Sequence, residues 1–256
     1  MGTVSKALGL LEFLKDPDAV LGLTEISKLA GFDKATTRRL LLELAANGFV
    51  EQDAANRAYL LGPSLQMLGH AREKRFPLFR TVQPFVRDLA EQTGETVHAA
   101  EYCAGVLVSI CNEQSQKANR VILEHGQKLP LHATASGIAF LAASSPAFAE
   151  SVFRKPMQAF TPNTVTDPGT LLSVMRETRN RGYSISDQSM EDGVHSVAAA
   201  IISNSGKPVG TVAVAMPTSR VSPSAIEHFG NLVRQTAEDI SDKLFGRSTA
   251  PLRKAS

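Results

Sequence analysis

Apolar residues recur three and four apart at Val4, Ala7, Leu8, Leu11 and Leu14, which predicts a helix with one apolar face. Asp16-Pro17-Asp18 ends it. A short helix follows over 25–30, with the Thr24 hydroxyl placed to cap its start and Gly31 placed to close it in a left-handed conformation. Asp33 can cap a third helix, Lys34–Asn47, which Gly48 stops. On that helix Thr37, Leu40, Leu41 and Leu44 share one narrow face. The period then falls to two: Phe49–Gln52 and Ala58–Leu61 read as short strands around the turn Asp53–Arg57. Gly62-Pro63 opens a further helix, with Pro at its first position and a basic end at Arg72–Arg75, before Phe76-Pro77 interrupts it.

Beyond Pro77 the pattern alternates. Helices are expected over Leu78–Gln92, Ala135–Ala143, Thr170–Arg181 and Ser222–Phe245, the last with Ile226, Phe229, Leu232, Val233, Ile240 and Leu244 inward. Thr96–Tyr102 and Val106–Cys111 read as a hairpin around Ala104-Gly105, and Arg120–Glu124 as another strand. Ser196–Ser203 and Val209–Met216 form a second hairpin around a turn-rich Asn204–Lys207. Strand hairpins interleaved with helices predict an antiparallel α+β domain. The whole is a mixed α/β chain divided as 1–62, a linker helix over 63–77, a second domain over 78–246, and a polar tail, 247–256, expected to be disordered.

The first domain has the order of a winged helix-turn-helix: capped helix, glycine turn, second helix, two-stranded wing. On Lys34–Asn47, Arg39 lies opposite the apolar face, with Ala35 and Thr36 beside it and Arg38 to one side. Small side chains between cations allow close approach to a major groove, where long donors reach guanine edges or phosphates. Lys34 extends that surface, Thr24 stands where a helix N-terminus could hold a phosphate, and Asn56 and Arg57 occupy the wing tip. Net charge does not enter: the chain is +2, and residues 1–62 hold seven Lys or Arg against eight Asp or Glu. Double-stranded DNA is therefore implied by placement of cations rather than by their excess.

At 256 residues with 43% hydrophobic content the chain is long enough for two cored domains. No run approaches the roughly 18 apolar residues of a membrane span, and no signal-peptide pattern opens the sequence, so a cytoplasmic location is expected. Cys103 and Cys111 fit no zinc or redox spacing and read as small apolar residues. His98, His132, His195 and Cys103 likewise make no metal-ligand pattern. Ser136 lies outside any G-x-S-x-G elbow, no phosphate loop or HExxH is present, and Asp187, Glu191 and Asp192 read as a solvated loop. No metal, cofactor or catalysis is expected.

Several long segments resemble the isocitrate lyase regulator (IclR) family of bacterial transcription factors: Gly126–Gly137 (GQKLPLHATASG), Arg181–Asp187 (RGYSISD), Gly193–Ala199 (GVHSVAA) and Met216–Arg220 (MPTSR), in order behind the winged helix. The resemblance implies a GAF-like effector domain, a homodimer that is often a dimer of dimers, and control of a nearby operon by a small organic molecule. It also implies that the effector sits against the amides of Ala135, Ser136 and Gly137, lined further by Ser186 or Asp187, Ser196, Ala213 and Ala215. Members that bind small keto acids usually present an acidic residue, a cysteine and hydroxyls at four of these positions. Here they are Ser186, Ser196, Ala213 and Ala215, which implies a roomier, less polar pocket suited to a carboxylate with an apolar or aromatic body. Strand alternation adds His98, with Ala100 and Tyr102, to the cavity side and turns His195 away from Ser196. Two other classes stay open: a DNA-binding scaffold whose second domain only oligomerises, and, least favoured, an enzyme acting on a small acid.

Overall fold

The computed structural model describes residues 2–16 and 18–246, so the expected tail 247–256 lies outside the described residues. The chain divides into two compact units, 1–76 and 77–256. The first holds α1 (Thr3–Phe13), α2 (Leu23–Ala30), α3 (Lys34–Ala46), β1 (Val50–Gln52), β2 (Tyr59–Leu61) and α4 (Ser64–Arg75). Its core is one cluster in which Leu10, Ile26, Leu40, Leu41, Leu44 and Val50 are buried. The face expected on α3 is the buried one: Thr37, Leu40, Leu41 and Leu44. Gly31 takes the left-handed cap after α2, with φ 67°. Asp33 caps α3 through Oδ1, which accepts from the Thr36 amide at 2.8 Å.

Thr24 does not cap α2. The helix starts one residue earlier, at Leu23 with Gly22 as N-cap, and the Glu25 carboxylate folds back beside Gly22. Pro63 likewise stands at the cap of α4 rather than inside it. The wing closes on α3 because Gly62 lets the chain pass: a Cβ there would lie 2.3 Å from the Gly48 carbonyl oxygen. The Gly62 amide donates to the Phe49 carbonyl (2.8 Å), and the Ser64 hydroxyl to the Asn47 carbonyl (2.9 Å).

The second unit is built on a six-stranded antiparallel sheet of β3 (Thr96–Cys103), β4 (Val106–Glu113), β5 (Lys128–Leu129), β6 (Ser184–Asp187), β7 (Val194–Ile202) and β8 (Pro208–Pro217), in the order β5-β4-β3-β8-β7-β6. The helices α5 (Leu78–Thr93) and α9 (Pro223–Phe245) pack on each other and on the sheet. So do α6 (Ala135–Ala143) and α8 (Pro168–Arg181), from the other side, and α7 (Pro146–Phe153) joins them through Ala149, which clusters with Phe140 and Met175. Covering both faces makes the central strands apolar throughout: Val197, Ala198, Ala199, Val212, Ala213 and Val214 are all buried.

Arg120–Glu124 is not a strand. Its carbonyls are taken by side chains instead of a ladder: Thr96 Oγ1 donates to Val121 O (2.6 Å), and Asn112 Nδ2 to Leu123 O (2.6 Å). The edge strand is β5, a few residues on. Neither α7 nor β6 was expected, although Ser145-Pro146 carries the signal of a capped helix start with Pro in its first turn. On α9 the buried positions are Gly230, Val233, Ala237 and Ile240, while Ile226, Phe229, Leu232 and Leu244 are half-buried. Gly230 lets α9 approach the Tyr183 ring, from which a Cβ would lie 2.3 Å.

Candidate functional site

On α3, Lys34, Ala35, Arg38 and Arg39 are exposed on the side away from the buried leucines. Thr36 is half-buried, and its hydroxyl donates to Asp33 Oδ2 at 2.7 Å, so it serves the cap. The bond from the Thr36 amide, then that from its hydroxyl, holds the Asp33 carboxyl below its usual range. Thr24, in the first turn of α2, is half-buried. In the wing, Asn56 Oδ1 accepts from the Ala58 amide (2.8 Å), and Arg57 takes a left-handed backbone, φ 59°. Both are exposed. α3 thus presents Lys34, Ala35, Arg38 and Arg39 on its exposed side, and Asn56 and Arg57 are exposed at the wing tip. Leu42 is exposed on the same helix.

The second unit holds a cavity of about 60 Å³ beside the start of α6. Thr134 caps that helix: its Oγ1 accepts from the Gly137 amide at 2.9 Å and donates to the Pro130 carbonyl at 3.0 Å. Ser184 Oγ ties the helix to β6 by donating to the Ala135 carbonyl (2.6 Å). Ala135, Ser136, Ser186, Ser196, Ala215 and His98 all stand in the cavity wall. His98 Nε2 lies 3.1 Å from Ser136 Oγ, and its Nδ1 is buried without a partner. Burial pushes the imidazole down to about 4.

Three expected residues stand elsewhere. Gly137 gives its amide to Thr134, and it is glycine because a Cβ would lie 2.4 Å from the Leu131 backbone. Ala213 is packed in an apolar cluster with Ala135, Ala139 and Ala198. Asp187 is exposed and lies 3.4 Å from His195 Nδ1, on the side of β6 away from Ser186. Tyr102 also leaves the cavity: it stacks on Phe140, ring centroids 4.7 Å apart. Small side chains therefore do not give a roomy pocket here. They let α6 seat directly on the sheet, and the space is filled by helix.

The sequence pattern missed the rest of the wall. Val121, Ile122 and Leu123 come from the stretch expected to be a strand, and Met190 and Glu191 from the loop between β6 and β7. The 114–123 segment is anchored by an ion cluster. Glu95, only 3% exposed, accepts from Arg220 Nε and Nη2 (2.6 Å each) and from Lys117 Nζ (2.8 Å), while Arg220 Nη1 donates to Asn119 O (2.8 Å). Burial pushes the Glu95 carboxyl up, but the bonds and charges of Arg220 and Lys117 outweigh it and hold it below the usual range. Arg220 closes the Met216–Arg220 motif, so the signal was present without its partner. His132, the histidine of the 126–137 segment, has its Nε2 2.8 Å from the Gln158 carbonyl and anchors the loop ahead of α8. Among the described residues no group of three or more His, Cys, Asp or Glu is placed to hold a metal, and no helix is long and apolar enough to cross a membrane.

Residues 3–54 match the IclR helix-turn-helix domain, and residues 70–242 match the family described as bacterial transcriptional regulator IclR C-terminal. The transcriptional repressor IclR of Escherichia coli (strain K12) is 31% identical over 242 residues, spanning 93% of this chain and 88% of that protein. The HTH-type transcriptional regulator BhcR of Paracoccus denitrificans (strain Pd 1222) is 28% identical, spanning 96% and 88%. Among solved structures, an IclR transcriptional regulator from Silicibacter sp. TM1040 has a TM-score of 0.86 at 36% identity, covering 96% of this chain and 97% of that one. An IclR homologue from Microbacterium hydrocarbonoxydans, solved in complex with 4-hydroxybenzoate, shares the fold with a TM-score of 0.81 at 21% identity, covering 95% and 99%.

Proposed function

This chain belongs to the IclR family of bacterial DNA-binding transcriptional regulators and is not an enzyme, and from that we propose that it reads a pseudo-palindromic operator of a catabolic operon and is modulated by an organic acid. The observation that carries the DNA half is α3 itself. Its leucines are buried on one side, and Lys34, Arg38 and Arg39 stand clear around Ala35 on the other. A homodimer, assembled further as a dimer of dimers, sets two such helices in successive major grooves. Exposed apolar residues on α1 (Val4, Leu8) and α4 (Met67, Leu68) support pairing of the first unit. Arg39 and Arg38 reach base edges or phosphates, Lys34 and Thr36 flank them, Thr24 sits at the phosphate-facing start of α2, and Asn56 and Arg57 follow the adjacent groove or backbone.

For the effector, the supporting observation is the cavity at the start of α6, where helix amides, Ser136, Ser186, Ser196 and His98 converge between apolar walls. Pockets for small organic ligands usually exceed about 300 Å³, so an aromatic or other apolar-bodied acid enters by moving the Val121–Leu123 wall outward. The Microbacterium protein of this fold holds 4-hydroxybenzoate, which places that acid in the first panel to try. The signal passes along α4, and a coupling of only ~1–3 kcal/mol changes operator occupancy several-fold to about a hundredfold.

The test is calorimetry of the full chain with benzoate, 4-hydroxybenzoate, pyruvate and glyoxylate, followed by a mobility shift on its own promoter fragment with and without each. We expect an aromatic acid to bind and to alter retention of DNA. Micromolar binding of glyoxylate or pyruvate in preference to both aromatic acids would refute the apolar-bodied effector. No retardation of the promoter at low ionic strength would refute the regulator as drawn.

A further inference from the structure

We propose that the cavity takes a monocarboxylate together with one proton, which settles on His98, and that Glu191 turns away acids bearing a second carboxylate. This rests on the organic-acid reading above and adds to it the charge the site accepts.

A carboxylate moved from water into a closed cavity needs a counter-charge, because the desolvation of an unpaired anion is heavily penalised. Among the described residues the wall holds no lysine and no arginine; its ionisable groups there are His98 and Glu191. The start of α6 offers only about half an elementary charge, and one of its amides, that of Gly137, is already bound to Thr134 Oγ1. The remaining positive charge has to be made on the spot, and His98 is the one group in the wall that can make it.

Its geometry fits that role. The side chain is 5% exposed, Nε2 is 3.1 Å from Ser136 Oγ, and Nδ1 is buried with no partner. A neutral imidazole leaves Nδ1 idle. A protonated one donates from both nitrogens, Nε2 to Ser136 Oγ and Nδ1 to an incoming carboxylate oxygen. The groups around it do not interfere. Ala213 stands opposite on β8, and Asn112, opposite on β4, has its amide committed to the Leu123 carbonyl. From α6 comes Ser136, and among the described residues Glu191 is the only fixed charge in the wall. His195 and Asp187 lie on the other side of the sheet edge. In the empty cavity burial alone keeps His98 neutral, at about 4. A bound anion reverses that balance and raises it, so a proton is taken up from solvent at any pH between the empty and the filled value. Affinity then rises as pH falls through neutrality, by up to about tenfold per unit, and levels off near the empty-site value. Glu191 adds repulsion for any second anionic group at the wall.

The experiment is calorimetry of the full chain with benzoate and with terephthalate at pH 6, 7 and 8, each in two buffers of different ionisation enthalpy. We expect benzoate to bind several-fold more tightly at each lower pH, a buffer-dependent heat corresponding to nearly one proton taken up at pH 7, and terephthalate at least tenfold weaker. In His98→Gln the pH dependence and the buffer dependence should vanish. Benzoate bound without proton uptake, uptake retained in His98→Gln, or terephthalate bound as well as benzoate would overturn this proposal and leave the organic-acid reading intact. No binding of benzoate or of 4-hydroxybenzoate at pH 6 would remove both. The wild-type buffer comparison decides the matter even if the variant fails to fold.

Discussion

In residues 2–76 the cations read as functional stand outside the hydrophobic core, whereas in residues 77–246 His98 and Ser136 stand within it. Arg38 and Arg39 share a helix with Leu40 and Leu41, yet the cations are exposed and the leucines buried. His98 and Ser136 are themselves buried, in a layer that also contains Ala135, Ala139 and Ala213. Recognition and stability are therefore separable in the first unit and entangled in the second. A surface cation can be lost with little effect on folding, since substitutions away from the core usually change stability by within about 0.5 kcal/mol. A polar group inside the second unit cannot be changed without altering packing, desolvation and any ligand together.

The largest expected effect falls on the buried side of that contrast. Glu95→Gln removes the charge that Arg220 and Lys117 share. Breaking a buried pair costs about 3–5 kcal/mol, and because Arg220 and Lys117 are partly exposed (26% and 46%) solvent screening reduces this to roughly 1–3 kcal/mol. Urea unfolding at pH 7 should show that loss, together with greater proteolysis of the 114–123 segment. The sign with pH follows from the depressed carboxyl. Its contribution is full above the ordinary carboxylate range and is lost as pH falls through the folded value, so wild type and variant should converge in acid. Equal stability at pH 7 would show that even a buried charge in this unit is separable from its fold. Of the same order, Arg39→Ala should weaken operator binding by about 1–3 kcal/mol, roughly 5- to 150-fold at fixed salt. The thermal midpoint and the affinity for an effector acid should not move. Unchanged mobility-shift affinity would take Arg39 out of base reading.

The same contrast explains how much could be read from the chain alone. On α3 every determinant is local. The 3.6-residue period, the Asp33 cap and the glycines at 31 and 48 lie within twenty residues, so face and boundaries follow from spacing. The IclR resemblance brought the second site close, placing Ala135, Ser136, Ser186, Ser196 and Ala215 in one wall. It could not supply what depends on the path of irregular chain. Val121–Leu123 becomes a wall because Thr96 and Asn112 capture its carbonyls, across 25 and 11 residues of sequence respectively. Ala213 seemed to leave space, and the helix that fills it is decided by packing across the sheet. The misplaced cap at Thr24 has a simpler cause: two residues two positions apart, Gly22 and Thr24, are acceptable at a helix start, and only Gly22 leaves Leu23 inside the first turn.

One residue of the first unit blurs its separation of stability from recognition, and it carries the smallest expected effect. Arg57 holds a left-handed backbone, φ 59°, at the wing tip. A non-glycine residue there costs of order 1–3 kcal/mol at most, and such positions persist where the surroundings over-determine them or where function needs the side chain. The surroundings do part of this: the Arg57 amide donates to the Asp53 carbonyl (2.9 Å), and its own carbonyl accepts from Gln52 Nε2 (2.8 Å). Those bonds belong to the backbone and survive Arg57→Gly, which adopts the same φ without strain. Stability of the variant should therefore be equal or higher by up to about 1 kcal/mol. If the guanidinium meets a phosphate, the slope of log affinity against log salt should fall by about 0.9 for each protomer that engages. A variant that gains stability and keeps the full salt slope would assign Arg57 to the turn alone. One that gains stability while losing slope would show the wing retaining a strained cation because DNA, and not the fold, requires it.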